Sequence, residues 1–553
     1  MLLCPAQGQG NTGLRERHLP GFQVAVEVGA GQAIARVDTA TVAFVGRALR
    51  GPVNRPVAIA SFAEFQAVFG GLWQPSTLSY AVEQFFENGG RQARVVRVVN
   101  GGRPATVTLP AGGSALTLEA LCPGTREFLR AAVDYDNIPA GDVDKFNLVV
   151  QRVRAPGSEH VEDQEIYPRL SIDPNSPRHV AVQLADSGLV RLRGAVPLER
   201  PSPTHRGDGR TFAAYASSNP DGDDGGPLTD YDVIGSATER TGVFAFRDGE
   251  PFNFLCIPPL AREHPLGPSA LLVAARLCRE RRALLIVDPP PDWATPADAI
   301  DGMRRFEFAS ENAVMYFPWL QAYDRLRGRF ETFAPGAAAA GMLARLETGR
   351  PFWALGDGGD GPLRPGLRPA CTVADLWRDR LAKAGINTLQ AVRARRPVAA
   401  RTLAGPRAST PDWRFLGLRR LALMVAESVE RGTRWVLFEQ PGPVLWWRVE
   451  RQVGEFLSVL EEDGAFPVRP VGQAWFSICD QRVNAPRQQS EVNLLFGFAA
   501  LREGEWHCWL ITHGAHGSRV QSVTLNRLQS AGGRPPMDPE FDVATVLQEH
   551  FAR

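Results

Sequence analysis

The sequence is poor in lysine and has no paired cysteines. Only Lys145 and Lys383 are lysines among its 61 Lys and Arg residues, which leaves few candidates for a lysine nucleophile. Its 7 cysteines are widely scattered, odd in number and never spaced as CxxC. This spacing argues against a disulfide framework and against a thiolate zinc site, and it fits a reducing cytoplasm.

Long hydrophobic runs are also missing. Of the 553 residues 44% are hydrophobic, but Arg, Glu or Pro interrupts the longest apolar stretches within about 10 residues, well short of a membrane span. The N-terminal stretch has only a two-leucine apolar patch, so no signal peptide is predicted. With a formal net charge of +1, we expect a soluble protein, made in the cytoplasm, that binds neither nucleic acid nor membrane.

The motifs of common catalytic and metal sites are absent as well. No GxSxG occurs, and the 9 histidines are dispersed. His513 and His516 are three residues apart but have no third ligand or acidic partner. Asp221 and Asp223, followed by Gly226, resemble a calcium loop only faintly, because no helices flank them. The sequence therefore predicts no catalytic residue, no cofactor and no metal ligand.

One segment suggests an enzyme instead. The run DPPPDW (288–293) follows a strand-like LLIV and resembles the DPPY-type loop of amino-methyltransferases. Those enzymes also need a glycine-rich cofactor loop between a strand and a helix, and none lies nearby. A proline-rich strand exit is favoured, and an α/β enzyme centred on Asp288 is kept as the alternative hypothesis.

The segments that are present alternate between strand and helix patterns. TATVAFVG (39–46) is typical of a buried strand. Leu78, Val82, Phe85 and Phe86 fall on one helical face, and the glycines of FFENGGRQARVVRV (85–98) follow that helix. A phosphate loop precedes a helix, so these glycines indicate a turn and not a nucleotide site.

Later segments extend this α/β pattern. Short β-like pieces at 105–110, 115–121, 145–153 and 179–185 indicate a β-rich insertion, and alternating strands and helices from 252 indicate a parallel sheet. Further strands are predicted at 433–440, 474–480, 492–501 and 505–511. The helix 444–464 between them has one apolar face, formed by Leu445, Val449, Val453, Phe456, Leu457 and Leu460.

These patterns divide the chain into six predicted segments. They are an extended N-terminal arm (1–36), the first part of a core α/β domain (37–100), a β-rich insertion domain (101–245), a middle α/β domain (246–372), the second part of the core domain (373–512) and a C-terminal arm or tail (513–553). In the first arm, Phe22, Val24, Val26 and Val28 alternate with polar residues, as in a strand. With no hairpin partner in reach, we expect this strand to pair with a distant strand or with another molecule.

The order of the segments resembles tail sheath proteins of contractile phage tails and phage-like contractile injection systems. The segments, in order, are PGFQVAVEV, VAFVGRALRGPVNRPVAIASFAEFQAVFGG, LSYAVEQFFENGGRQARVVRV, LLIVDPPP, YFPWL, AGINTLQAV, ARTLAG with DWRFLGLRRL, ERGTRWVLFEQPGPVLWWRVERQVGEFL and AWFSICDQRVN. One of these segments alone would be weak support, whereas this many in the same order is strong support.

The resemblance implies a multi-domain α/β (α+β) structural subunit that is not an enzyme and needs no cofactor. Such subunits stack as hexameric rings around an inner tube, exchange strands through terminal arms and contract when the baseplate triggers them. The implied partners are other copies, the inner tube protein, and baseplate and terminator proteins. The implied location is a phage tail or a released injection particle, assembled in the bacterial cytoplasm.

The resemblance also assigns roles to particular segments. The N-terminal arm is 21–37, and helix 444–462, with Arg448, Arg451 and Glu455, is the candidate for the tube-facing contact. The insertion would lie on the outer surface. At the C-terminus, either 518–526 is a donated strand or the tail has an added role, and 539–551 has the pattern of a short amphipathic helix.

Overall fold

A computed structural model of the chain describes residues 17–19, 22–24, 33–204, 214–353, 362–392, 398–466, 474–484, 491–499 and 506–524. The chain forms two compact units. One, here called the terminal unit, combines Met1–Val37 with Met424–Arg553, and the other, the central unit, is Asp38–Leu423.

Strands and helices alternate along the described residues. The strands are β1 (Arg17–Leu19), β2 (Phe22–Val24), β3 (Val42–Gly46), β4 (Val57–Ile59), β5 (Ala93–Arg97), β6 (Pro104–Ala111), β7 (Ser114–Pro123), β8 (Leu129–Asp134), β9 (Lys145–Val153), β10 (Val161–Ser171), β11 (Val190–Arg193), β12 (Ala216–Ser217), β13 (Phe254–Cys256), β14 (Leu284–Val287), β15 (Ala313–Phe317), β16 (Leu320–Asp324), β17 (Arg329–Phe333), β18 (Arg368–Pro369), β19 (Ile386–Thr388), β20 (Trp475–Ile478), β21 (Val492–Phe498), β22 (His507–Gly514) and β23 (Gly517–Thr524). The α-helices are α1 (Phe62–Phe69), α2 (Thr77–Glu87), α3 (Val180–Leu184), α4 (Asp230–Ile234), α5 (Pro268–Glu280), α6 (Pro296–Arg305), α7 (Gly336–Leu346), α8 (Asp375–Ala384), α9 (Leu416–Gly432) and α10 (Pro443–Glu462). Short 3-10 helices lie at Gly242–Phe246, Gly405–Arg407, Pro411–Arg414 and Arg434–Phe438.

A seven-stranded sheet forms the centre of the central unit. Its order is β19-β15-β14-β13-β3-β5-β4, and every neighbouring pair is parallel except β4 with β5. Both faces are covered, because Val42 and Phe44 pack into one hydrophobic cluster while Ala43 and Val45 pack into another. A strand buried on both faces needs a continuous apolar sequence, which TATVAFVG supplies.

The glycines after α2 make a tight turn into β5, as the sequence predicts. Gly89 has a φ of 107°, a backbone conformation that glycine adopts at little cost. Gly90 N donates to Phe85 O over 3.0 Å. A Cβ at Gly90 would lie 2.3 Å from the Phe85 ring, so both positions require glycine for steric reasons.

The insertion is a β-sandwich within the central unit. The sheet β10-β9-β8-β12 and the sheet β11-β7-β6 enclose a common apolar core that includes Leu118, Phe146 and Leu148. The β-like pattern at 179–185 is a misprediction, because these residues form the short helix α3, with Val180 and Leu184 buried. An apolar residue every fourth position suits one helical turn as well as it suits a short strand.

The terminal unit contains the antiparallel sheet β20-β21-β22-β23 and the helix α10, whose predicted apolar face is buried as a whole. The strand predicted at 433–440 is wrong, since Arg434–Phe438 is a 3-10 helix in which only Val436 is buried. The expectation that the arm strand has no hairpin partner in reach is also wrong, because β1 pairs with β2 in antiparallel fashion through Leu19 and Phe22. Val26 and Val28 lie outside the described residues.

The several sheets and the helices around them confirm the predicted multi-domain α/β class. One sheet includes strands from three segments that the sequence analysis treats separately, since β3 (37–100), β13 (246–372) and β19 (373–512) all belong to it. The domain boundaries themselves stay a prediction.

Candidate interaction surfaces

Asp288, the residue on which the enzyme hypothesis depends, holds the start of a helix. It follows β14, and its Oδ1 accepts a hydrogen bond of 2.7 Å from Gly336 N at the first residue of α7. A Cβ at Gly336 would lie 2.7 Å from the same oxygen, which explains the glycine. The carboxylate therefore binds a free N–H group at a helix N-terminus, which is a structural use of an acidic residue.

The surroundings of Asp288 do not resemble a nucleotide-type cofactor site. A cavity of about 30 Å³ beside α2 and α7, which Asp288, Tyr80 and Arg262 help to line, has room for water only. A second cavity of about 330 Å³ has mostly apolar walls, with Arg305 and Glu307 among its charged lining residues. In the described part of the chain, neither cavity is bordered by a strand–GxGxxG–helix loop.

Burial raises the pKa of Asp288 to about 7, although the Gly336 N–H opposes this rise. Because the unfolded chain ionises near a pKa of about 3.9, the folded chain binds the proton more tightly, and stability falls as the pH rises from about 4 to about 7. Each pH unit between the two pKa values corresponds to about 1.4 kcal/mol of stability.

We expect Asp288→Asn to gain stability relative to the native chain at pH 8 but not at pH 4, measured by urea unfolding. Asp292→Asn, at an exposed residue of the same loop, is the control, and a pH-independent difference for Asp288→Asn would refute the assignment.

The two histidines of THGAHG do not form a metal site. His513 is buried at the end of β22, and its ring nitrogens lie 2.8 Å from Thr433 Oγ1 and 2.7 Å from Ser518 Oγ. Burial lowers its pKa to about 4, so the ring is neutral at physiological pH. Within the described residues, no group of three or more His, Cys, Asp or Glu side chains is placed to hold a metal ion.

The aspartates of the loop 221–224 are used within the protein. Asp221 accepts hydrogen bonds from the main chain and the hydroxyl of Thr106, at 2.9 and 2.6 Å. Asp224 does the same for Thr125, at 2.9 and 2.8 Å. These carboxylates fasten the loop to the strands of the insertion, which accounts for an acidic loop without a cation.

The outer face of α10 presents the three charged residues that the sequence analysis proposes for the tube contact. Arg451 Nε lies 2.8 Å from Glu455 Oε1 one helical turn away, and both side chains are more than half exposed. The Arg448 guanidinium lies 4.7 Å from the ring centroid of Trp435. The structure thus places Arg448, Arg451 and Glu455 together on one accessible surface, and their role stays a prediction.

The edge strands β10 and β23 differ in how well they are protected against pairing with a further strand. The edge strand β10 contains Pro168 and two register shifts in its ladder with β9, features that discourage a further strand from pairing. The edge strand β23 pairs with β22 over eight residues without a register shift, contains no proline and has Arg519 as its single charged residue. Among the described strands, none pairs with the other edge of β23.

Solved structures with this arrangement of elements are sheath proteins. A sheath tail protein from Listeria innocua aligns with 90% of this chain and 97% of its own, with a TM-score of 0.57 and 13% sequence identity. The chain has the fold of a tail sheath protein. The sheath complex of the extracellular contractile injection system PVC, in the contracted state, aligns with 88% of this chain and 96% of its own, with a TM-score of 0.50 and 15% identity.

The likeness to tail sheath proteins is one of fold, because the identities are low. The sequence matches no protein-family model and no curated protein. The resemblance noted above is nevertheless confirmed at the level of the fold over most of the chain. Among the described helices, none has the length and apolarity needed to cross a membrane.

The sequence analysis did not predict one apolar surface of the terminal unit. Leu437 is 37% exposed, Phe438 90%, Val444 75% and Trp447 59%, and they occupy the turn into α10 and its first turns. The signal was available: in LFEQPGPVLWW, Pro441, Gly442 and Pro443 stop a strand, so the apolar residues beside them have no sheet to enter.

Proposed function

We propose that the chain is a structural subunit of the contractile sheath that surrounds the inner tube of a contractile phage tail or injection system. The observation that carries this proposal is the likeness of fold to sheath proteins across nearly the whole chain. The subunit polymerises as stacked hexameric rings, is not an enzyme, and acts together with baseplate, terminator and tube proteins. It is assembled in the bacterial cytoplasm and remains part of the particle.

The rings are linked by strand addition at β23. A donated strand would satisfy the unpaired main-chain groups along this edge. Each main-chain hydrogen bond contributes a net 0.5–1.5 kcal/mol, roughly, so a partner along the eight residues of β23 gives a substantial link. The donor is the N-terminal arm of another copy, in which Phe22, Val24, Val26 and Val28 follow the two-residue alternation of a strand.

The N-terminal arm can extend to another copy because residues 34–37, which follow it, are bound to the rest of the terminal unit. Val37 N donates to Ser428 Oγ over 3.1 Å, and Ile34 is buried against Gly432, where an added Cβ would lie 2.7 Å from its side chain. Arg36 forms an ion pair with Asp463. Residues 34–37 therefore stay attached to the terminal unit, whatever partner the residues before them have.

The tube contact is made by α10 and the turn before it. This surface combines the exposed Phe438, Val444 and Trp447 with Arg448 and Arg451. Aromatic residues and arginines of this kind are enriched where protein partners bind. Contraction then needs no cofactor, because its free energy is the difference between two packings of the same interfaces.

Negative-stain microscopy of the purified full chain tests the proposal. We expect striated tubes of uniform diameter, because a sheath subunit carries the contacts for its own stacking. Asp288→Asn is the matched control and should form the same tubes. A chain that stays monomeric under all assembly conditions, and that binds a nucleotide-type cofactor in calorimetric titration, would overturn the proposal in favour of the enzyme hypothesis.

A further inference from the structure

The hairpin β16–β17 presents aromatic side chains to solvent. On its outer face Tyr323 is 56% exposed and Phe330 60%, and their ring centroids are 5.8 Å apart. Leu326, in the turn between the strands, is 46% exposed. The guanidinium of Arg368, on the neighbouring strand β18, lies 5.8 Å from the Phe330 ring centroid. Such a combination of Tyr, Phe and Arg is typical of surfaces that bind protein.

The inner face of the same hairpin holds it in place. Asp324 is buried and accepts hydrogen bonds from Tyr80 Oη at 3.1 Å and from Arg262 Nη2 at 2.7 Å. Leu320 and Phe333 are buried as a cross-strand pair. The outer face is therefore a fixed platform, and a partner would pay little to order it.

The platform exposes positive charge and keeps its negative charge recessed. The side chains of Arg325 and Arg329 are each 68% exposed, whereas their partners Glu83 and Glu331 are 14% and 16% exposed. Glu87, 49% exposed, also lies near Arg325 at 3.5 Å. Arg329 shares a strand face with Glu331 and Phe333, which is the inner face, whereas the exposed Arg368 lies beside Phe330 on the outer face. A ligand that approaches the outer face therefore meets the guanidinium of Arg368.

One segment of the chain complements this surface. Residues 538–551 read DPEFDVATVLQEHF, with four acidic residues, no Lys or Arg, and apolar residues that include Phe541, Leu547 and Phe551. This segment lies outside the described residues, and the sequence predicts a short amphipathic helix at 539–551. The residues between Thr524 and Asp538 can extend over about 45 Å, so the segment is not confined to the surface beside β23.

We propose that the outer face of the β16–β17 hairpin binds residues 538–551 of another copy of this chain. The apolar residues of the segment pack on Tyr323, Leu326 and Phe330, and its carboxylates pair with the guanidinium of Arg368. This contact goes beyond the strand addition proposed above, since it uses the other end of the chain and a different unit of the partner copy.

A photo-crosslinker in the full chain tests the contact. Phe330 is replaced by p-benzoylphenylalanine, a close analogue, in an equal mixture of ordinary and 15N-labelled copies, and cross-linked peptides are identified by mass spectrometry. We expect the main product to join position 330 to residues 538–551 across the two isotopes. The same replacement at Leu376, 64% exposed on α8, is the control. Products from position 330 that omit 538–551, or that join only residues of one isotope, overturn the proposal.

Charge reversal tests the pairing with a second readout. A labelled peptide of residues 536–553 is titrated with the full chain, and fluorescence anisotropy measures its affinity. We expect Arg368→Glu to weaken binding at least about tenfold, as for loss of a charge-assisted contact. A peptide with Glu540→Lys and Asp542→Lys should bind the Arg368→Glu variant more tightly than the unmodified peptide does. Unchanged binding by the variant, or no recovery with the reversed peptide, contradicts the charge pairing, and an unchanged melting curve shows that the variant is folded.

Discussion

The substitution Val520→Pro is expected to abolish tube formation while the subunit stays folded. Gly514 and Gly517 flank a two-residue loop as the first pair of the β22–β23 ladder. Hydrogen-bonded and non-hydrogen-bonded pairs alternate from that point, so Val520, opposite Ile511, has its N–H directed away from β22. Proline at this position removes a donor that only an added strand would use. Sedimentation velocity and negative-stain microscopy measure the result, with monomers expected in place of tubes.

Two further variants test whether the loss of tubes comes from the loss of strand addition at β23. Val520→Thr keeps both the N–H group and the β-branched shape, so it should assemble like the native chain. A chain without residues 1–30 lacks the proposed donor and should also stay monomeric, with an unchanged circular dichroism spectrum. Regular long tubes from either Val520→Pro or the truncated chain would show that strand addition at β23 does not link the subunits.

The substitution Gly341→Ala is expected to destabilise the chain strongly, because it disturbs the packing of α7 on α2. Gly341 is buried in α7, and a Cβ at this position would lie 2.3 Å from Phe85 O and 3.0 Å from Asn88 Cβ. A main-chain oxygen cannot rotate away, so Gly341→Ala must push the two helices apart. Overpacking of this kind costs about 1–3 kcal/mol, and we expect at least this loss in the free energy of unfolding, measured by urea denaturation.

A second helical glycine provides the opposite expectation. A Cβ at Gly454 in α10 would meet only Trp475, at 3.4 Å, which is an ordinary contact. Gly454→Ala should therefore stabilise the chain, by up to about 1 kcal/mol, because alanine is the better helix former. Equal effects at Gly341 and Gly454 would mean that helix propensity, and not the close approach of α7 to α2, decides the outcome.

Much of the fold could be predicted where the burial of an element follows a regular pattern along the sequence. The six apolar residues of α10 have the period of a helix with one buried face, and all six are buried. The buried strand β3 is likewise evident, because a strand covered on both faces must be apolar throughout. The strand β10 was missed, since an exposed edge carries mostly polar residues and has no apolar alternation to detect. The strand β8 was missed as well, although it is mostly buried.

The candidate surfaces were harder to predict than the core. Periodicity placed Arg448, Arg451 and Glu455 on the outside of a helix, but it does not reveal that Phe438 and Val444 are exposed beside them. Apolar residues in a sequence are read as buried, and only the three-dimensional packing shows which ones have no partner. The role of Asp288 depends on Gly336, 48 residues later, a pairing that local patterns do not contain.

The protection of β10 against strand pairing has a consequence for how regularly copies of the chain assemble. A subunit that offers several open edges would branch or form irregular aggregates, because any copy could join at any of them. Pro168 and the two register shifts disfavour pairing at β10, while no described strand pairs with the outer edge of β23. Strand addition confined to β23, as proposed above, yields a single repeating geometry, and the proline and register shifts of β10 keep this long strand of the insertion from adding a second one.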